Sequence, residues 1–450
     1  MKKNYYVIMI LMLFNSIFAQ DSHYWNLQYG TKSTLLGGVV IGSVTDLSAT
    51  YYNPGAVALF NDAKAILSAK VYQYETITIV NGAGENKDLD YSSITPSPTF
   101  IAFDVNIDTT GINKLAFSLL TRQSMNFDFE TRQISTINNS TNSDFDYTAG
   151  GVSANQKLDE IWGGVTFSHK FTETIGMGVT AYIAYRNQTL DFQTIVEGLD
   201  ANDQITSIMA IRKLNYNNYR ALLKFGGGIN LNPVTLGLTV TTPSLNLLGS
   251  GSYGYHNFIN NPANPLENVF ESNYQDDLKS KYNTSWAIGF GAGYWGKQIR
   301  LHFSAEWFNA VHQYEPLTLD PLFSQSTNQY FTKNITQQLK SVLNAGIGVD
   351  YKLNEKWSFA GSFITDFSAN DTNAETNLSL SKWDIYHISA GSNFKLASSE
   401  ITLGLSYSFG NDVIKQVANI GDPENGTNEN IETASDVKFQ RIKVLFGFLF

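Results

Sequence analysis

The chain has 450 residues, a formal net charge of −10 and no cysteine. The missing thiols exclude a disulfide scaffold, a thiolate metal site, a cysteine nucleophile and a lipid-modified N-terminal Cys, and the acidic balance, with pI near 5.1, argues against a nucleic acid as partner. Aromatic residues reach 13% and glycines number 35 while charged residues stay at 16%, a mixture that suits strands with two unlike faces whose hydropathy averages away.

In chain order, Lys2 and Lys3 give a positive start, Tyr5 to Phe14 is almost wholly apolar, and Ser16 to Ala19 supplies a cleavage site. Residues 1–19 therefore read as an export signal removed after Ala19, with Gln20 as the mature first residue. The apolar run falls short of the roughly 20 residues that a helical span requires, and no later segment approaches that length.

Residues 20–62 are expected to form a hatch, or plug. The stretch "GTKSTLLGGVVIGSVTDLSATYYNPGAVALFND" has no sustained alternation, and Gly37, Gly38 and Gly42 cluster in it. Clustered glycines permit positive φ and close backbone approach. Asn53 and Pro54 cannot sit inside a ladder, because Pro has no N–H and restricts the residue before it. A compact segment at the periplasmic mouth of a barrel fits the lumen, where irregular backbone does not face lipid; Asn53-Pro54-Gly55 then turns the chain out toward the first strand. A periplasmic tail without function is the competing reading.

Residues 63–450 alternate with period two, apolar on one face and small or polar on the other. In "ITLGLSYSF", Ile401, Leu403, Leu405, Tyr407 and Phe409 share one face. Fourteen such candidates fall near 64–75, 97–107, 113–130, 157–171, 175–197, 215–231, 234–254, 281–296, 298–313, 338–353, 356–367, 383–396, 399–415 and 436–450. Long polar linkers such as "NIGDPENGTNENIETASD" alternate strictly with tight turns such as "TET", "NP", "GK", "NE" and "AS". The fold class is therefore all-β, a transmembrane antiparallel up-and-down barrel of about 14 strands with both ends on the periplasmic side of a Gram-negative outer membrane. The last strand, "RIKVLFGFLF", ends in Phe450; it resembles the C-terminal signature that barrel-assembly machinery reads.

Taken together, the export signal, the Gly-rich segment with "DLSATYYNPGAVAL", fourteen strands, "LGLTVTTPSLNLLGSGSY" and "GVDYKLNEKWSFAGSF" resemble the FadL/TodX (OmpP1) long-chain fatty-acid transport family of outer-membrane barrels. The family's hatch carries an Asn-Pro-Ala motif, which Asn53, Pro54 and Gly55 match with Gly replacing Ala. The resemblance implies passive uptake of hydrophobic small molecules, long-chain fatty acids or aromatic hydrocarbons, gated at the hatch and released in some members beside a kinked third strand. Here the third candidate, "NKLAFSLLTRQSMNFDFETRQ", has neither Gly nor Pro to make a kink. Two other readings stay open: a PorV-like, secretion-associated barrel that binds protein cargo, and a general porin.

No enzyme chemistry is legible, since the six histidines lie far apart, with no HExxH, nucleophile elbow or phosphate loop. Neither a metal nor a cofactor is expected. Arg186, Lys224, Arg300 and Glu306 read as solvated lumen charges paired across strands, and Trp162, Trp286, Trp295, Trp307, Trp357 and Trp383 as interfacial girdles.

Overall fold

An extended chain places successive side chains on opposite faces, and closing such strands into a ring leaves no ladder edge unpaired. A computed structural model describes residues 22–59, 65–80, 88–108, 110–136, 146–371, 383–396, 399–422 and 427–449. The expected export signal, its cleavage point, the turn at 397–398 and Phe450 lie outside them. The strands, in order, are β1 (Ala65–Ile79), β2 (Leu89–Asn106), β3 (Asn113–Thr136), β4 (Tyr147–Thr172), β5 (Ile175–Leu199), β6 (Ile205–Leu231), β7 (Val234–Thr241), β8 (Leu245–Asn260), β9 (Val269–Lys279), β10 (Ala287–Trp295) and β11 (Ile299–Phe308). They continue with β12 (Val311–Leu317), β13 (Leu322–Ser324), β14 (Gln329–Phe331), β15 (Ile335–Leu339), β16 (Val342–Lys352), β17 (Trp357–Asp366), β18 (Ile385–Leu396), β19 (Ser399–Asp422) and β20 (Thr427–Leu449).

Sixteen of these make one antiparallel sheet that closes through β1–β20 and β5–β6. They occupy fourteen staves, because β7 with β8, and β9 with β10, are each one stave in two pieces: β6 pairs β7 along its lower half and β8 along its upper half. Short turns at 173–174, 232–233, 296–298 and 353–356 close one end. At the other end β12 pairs β15 and β13 pairs β14 as small hairpins. The linker "NIGDPENGTNENIETASD" differs from expectation: the β19–β20 ladder runs on through it to Asp422↔Thr427. Once two strands are in register, backbone bonds can extend the hairpin without an alternating pattern to announce it.

Outward on the lower wall stand Ile161, Val165 and Phe167 of β4, Met177 and Ile183 of β5, and Leu223 and Phe225 of β6, all exposed. Their inward neighbours Thr166, Ser168 and Thr180 are buried. A continuous apolar exterior with a small, polar interior is the surface a barrel presents to lipid. Among the described residues no helix is long and apolar enough to cross a membrane.

Candidate functional site

Inside the ring lies the N-terminal segment. Its α1 (Lys32–Leu35) and α2 (Ala49–Tyr52) are single turns and its 3-10 helix (Pro54–Leu59) only two, far too short to persist alone, and the wall holds them. Gly55 sits where a Cβ would lie 2.5 Å from the Gly226 carbonyl and 2.7 Å from that of Gly176, and Gly42 lies against the Gly291 backbone. Asn53 Nδ2 donates to the carbonyls of Ile41 (2.8 Å) and Gly227 (3.0 Å), while its Oδ1 accepts from Gly55 N (3.1 Å). Gly42, Asn53, Pro54 and Gly55 thus share one contact with β5–β7 and β10. Gly37 and Gly38 form another. Both have positive φ (63° and 75°), and a Cβ would meet Ser362 Oγ at 2.8 Å for the first and the Tyr52 hydroxyl at 2.6 Å for the second.

The residues that brace this segment were not singled out in the sequence. Asp46 accepts from Thr31 N (3.3 Å), Thr31 Oγ1 (3.2 Å), Ser48 N (2.9 Å) and Ser48 Oγ. Burial pushes its carboxyl above the ordinary range, against the pull of those four donors. The signal was present in "TDLS", since an Asp that bonds the backbone two residues on is a common turn former. Nearer its start the segment hangs on polar tethers. His23 Nε2 donates to the Trp383 carbonyl (2.9 Å), Trp25 N to Asp366 (2.9 Å) and Trp25 Nε1 to Glu306 (2.9 Å). Lys443 Nζ donates to the Asn26 carbonyl (2.8 Å), and Arg441 binds the Asn26 side chain.

One of these braces meets a parting in the wall. The β2–β3 ladder holds only from Phe100↔Leu120 to Asn106↔Lys114, while β3 stays paired with β4 to its upper end. On β2 the pairing stops just short of Pro98 and Pro96, which have no N–H to donate to a ladder. On β3 the same level carries a bulge at Arg122, where the register with β4 shifts between Thr121 and Gln123. The Tyr29 hydroxyl, on the N-terminal segment, donates to the Thr121 carbonyl (2.9 Å). Higher up, Tyr91 of β2 bonds the Asn126 carbonyl of β3 and packs on Phe127 (centroids 4.8 Å).

Beside the parting is a cavity. Ile77, Met125, Phe127, Ile385, Val437 and Phe439 give it apolar walls, and His23, Asn26, Glu75 and Arg441 a polar end. Such a composition suits a small hydrophobic ligand with a few polar contacts. Trp383 also lines it and Trp162 is buried inside, so these two are not girdle residues, whereas Trp286 and Trp357 are exposed on the outside.

A second cavity has charged and polar groups set among aromatic and apolar walls. Around it Glu160 bridges Arg186 (2.8 Å) and Arg220 (2.6 Å), and Lys224 faces Glu306 at 3.6 Å. Arg300 pairs with Asp350 at 3.4 Å. The expected cross-strand pairing is present, but Arg186 and Arg220 are 0% exposed, so they are dry where solvated charges were expected. The Tyr282 ring covers both guanidinium groups, 4.0 Å from Arg186 and 4.4 Å from Arg220. His302, His387 and His169 each bond a neighbouring Ser or Asn side chain, and among the described residues no three metal-binding side chains converge.

The sequence matches no protein-family model and no curated protein. Solved structures do match. A Pseudomonas aeruginosa FadL homologue aligns at 13% identity over 95% of this chain and 99% of its own, with TM-score 0.59. The Pseudomonas putida toluene transporter TodX aligns at 10% identity over 96% and 99% (TM-score 0.58), and the Ralstonia pickettii toluene transporter TbuX at 11% over 94% and 98% (TM-score 0.55). At these identities the likeness is one of fold. The chain is a closed fourteen-stranded barrel with the architecture of the FadL homologue and the two toluene transporters.

Proposed function

We propose that this barrel sits in the outer membrane of a Gram-negative bacterium and conducts hydrophobic small molecules passively inward, with the N-terminal segment as its gate, as a member of the FadL/TodX family. The observation that carries this reading is the apolar cavity placed where β2 and β3 part. A ligand there touches the start of the N-terminal segment at His23 and Asn26. Displacing those residues from Trp383, Arg441 and Lys443 would loosen the tethers and bring Tyr29 away from Thr121, coupling occupancy to the parting. Fatty acids and monoaromatic hydrocarbons both suit the walls. The two toluene transporters among the fold neighbours favour including the second class.

The test is binding of a fluorescent long-chain fatty acid to the purified barrel in detergent, with unlabelled fatty acid and toluene as competitors. Saturable, displaceable binding is expected, and Met125→Trp, which fills the cavity, weakens it. Binding no greater than to detergent alone would overturn the reading.

A further inference from the structure

The second cavity gathers more positive charge than the chain neutralises. Arg122 and Lys224 line it, and Glu160, also in its wall, holds Arg186 and Arg220. All four cations are buried, Arg122 at 7% and Lys224 at 4% exposure. Against them stand two carboxylates, Glu160 and Glu306, so two positive charges are left unmatched. Both carboxylates are also engaged. Glu160 takes the two arginines and the Trp162 indole N–H (2.6 Å), while Glu306 takes the Trp25 indole N–H (2.9 Å) on one oxygen and faces Lys224 at 3.6 Å with the other.

Arg122 carries the imbalance. It is the extra residue of the β3 bulge, so no residue of β4 stands opposite it in the ladder. Arg122 and Gln123 are both buried, where unbroken alternation would send one of them outward. Among the described residues Arg122 pairs with no carboxylate, and its Nη1 has no hydrogen-bond partner. Its guanidinium packs over the Trp162 ring at 5.6 Å, a contact that does not cancel a charge. An unmatched cation in a desolvated site is costly, and a small anion beside it restores the balance through charge-assisted hydrogen bonds. Further donors are at hand, since the hydroxyls of Thr241, Thr242 and Ser285 belong to the same walls.

A ligand in the apolar cavity does not supply this charge. No residue lines both cavities, and the cation at the polar end of the apolar one, Arg441, is already paired with Glu75. We propose that the second cavity binds one small monovalent inorganic anion, such as chloride, held by Arg122 and Lys224 as a resident counter-ion between the wall and Tyr24 and Tyr51 of the N-terminal segment. The proposal is independent of the uptake reading.

The test is melting of the purified barrel in a non-ionic detergent, followed by tryptophan fluorescence, in chloride and in gluconate at equal ionic strength. Chloride is expected to raise the melting temperature saturably and gluconate is not. Arg122→Gln loses that response, and Arg132→Gln, at an exposed arginine, keeps it. Crystals of the unaltered chain soaked in bromide guard against a variant that does not fold: an anomalous peak beside Arg122 and Lys224 is expected, fading as chloride is added. Equal melting in the two salts with no bromide in the cavity overturns the proposal, as does a chloride response that Arg122→Gln retains in full. Stabilisation by a long-chain fatty acid alone, lost in Arg122→Gln, overturns it too; the site then belongs to the transported ligand, and the uptake reading stands.

Discussion

The lower and upper halves of β4, β5 and β6 are inverses of one another. Below, the outside carries Val165, Ile183 and Phe225 and the inside Thr166, Gly178 and Gly226. Above, the outside carries Lys157, Asn187 and Lys213, and the inside Leu158, Leu190, Phe192 and Leu214, all four inward residues buried. The alternation never loses step, but its meaning reverses between Ile161 and Asp159, at the level where Glu160 meets Arg186 and Arg220. The environment explains the reversal. Lipid outside calls for apolar side chains, and where the N-terminal backbone comes closest, at Gly176, Gly178 and Gly226, the lumen leaves room only for small residues; above the membrane, water takes over the outside and the apolar residues turn in to cover one another.

Changes at and around that level sharpen the comparison. The largest effect is expected for Glu160→Gln, which keeps the shape but leaves two buried guanidinium groups without a counter-charge and costs about 3–5 kcal/mol, measured by urea unfolding from vesicles. Next comes a pair on one face of β5. Ile183→Lys, below the level, costs about 2–4 kcal/mol because it places a charge in lipid, while Asn187→Lys, above it, stays within about 0.5 kcal/mol. Equal effects for the two would break the comparison. In the lower lumen, Gly226→Ala puts a methyl 2.7 Å from Pro54 Cδ and costs about 1–3 kcal/mol by overpacking, read as a lower temperature of heat-modified gel mobility.

The smallest effect is at the turn. A little desolvation at Asp108 is outweighed by donors from Asn113, Thr110 and Gly111, which hold its carboxyl at about 2 against an ordinary 3.8. Its contribution is therefore full above the ordinary value and is lost as pH falls toward 2. Melting curves of Asp108→Asn and the unaltered chain should converge in that range, and parallel curves throughout would contradict the assignment.

Strand number and closure were legible because period-two alternation and the long-short rhythm of connections come from the same repeated hairpin. Strand ends were less so: β4 begins at Tyr147, ahead of the expected 157, since an amphipathic pattern that inverts looks like a pattern that fades. Asn53, Pro54 and Gly55 were legible as a break in the ladder, and they sit where backbone meets backbone. Asp46 was legible in its local turn "TDLS", but Tyr29 and Trp25 were not, because what distinguishes them is a partner far along the chain: Thr121 for the first, Glu306 for the second. The Arg122 bulge was invisible for a related reason. It needs no Gly or Pro, only one residue too many on β3 against β4.

The contact of Gly42 with Gly291, and of Gly55 with Gly176 and Gly226, has an electrical consequence. Where a methyl would not fit, a file of water does not fit either, and ions cross a lumen only with their water or with charges that replace it. Along its contacts with β5, β6 and β10 the N-terminal segment thus leaves no path for a hydrated ion. Any ion current through the barrel has to pass on another side of the segment.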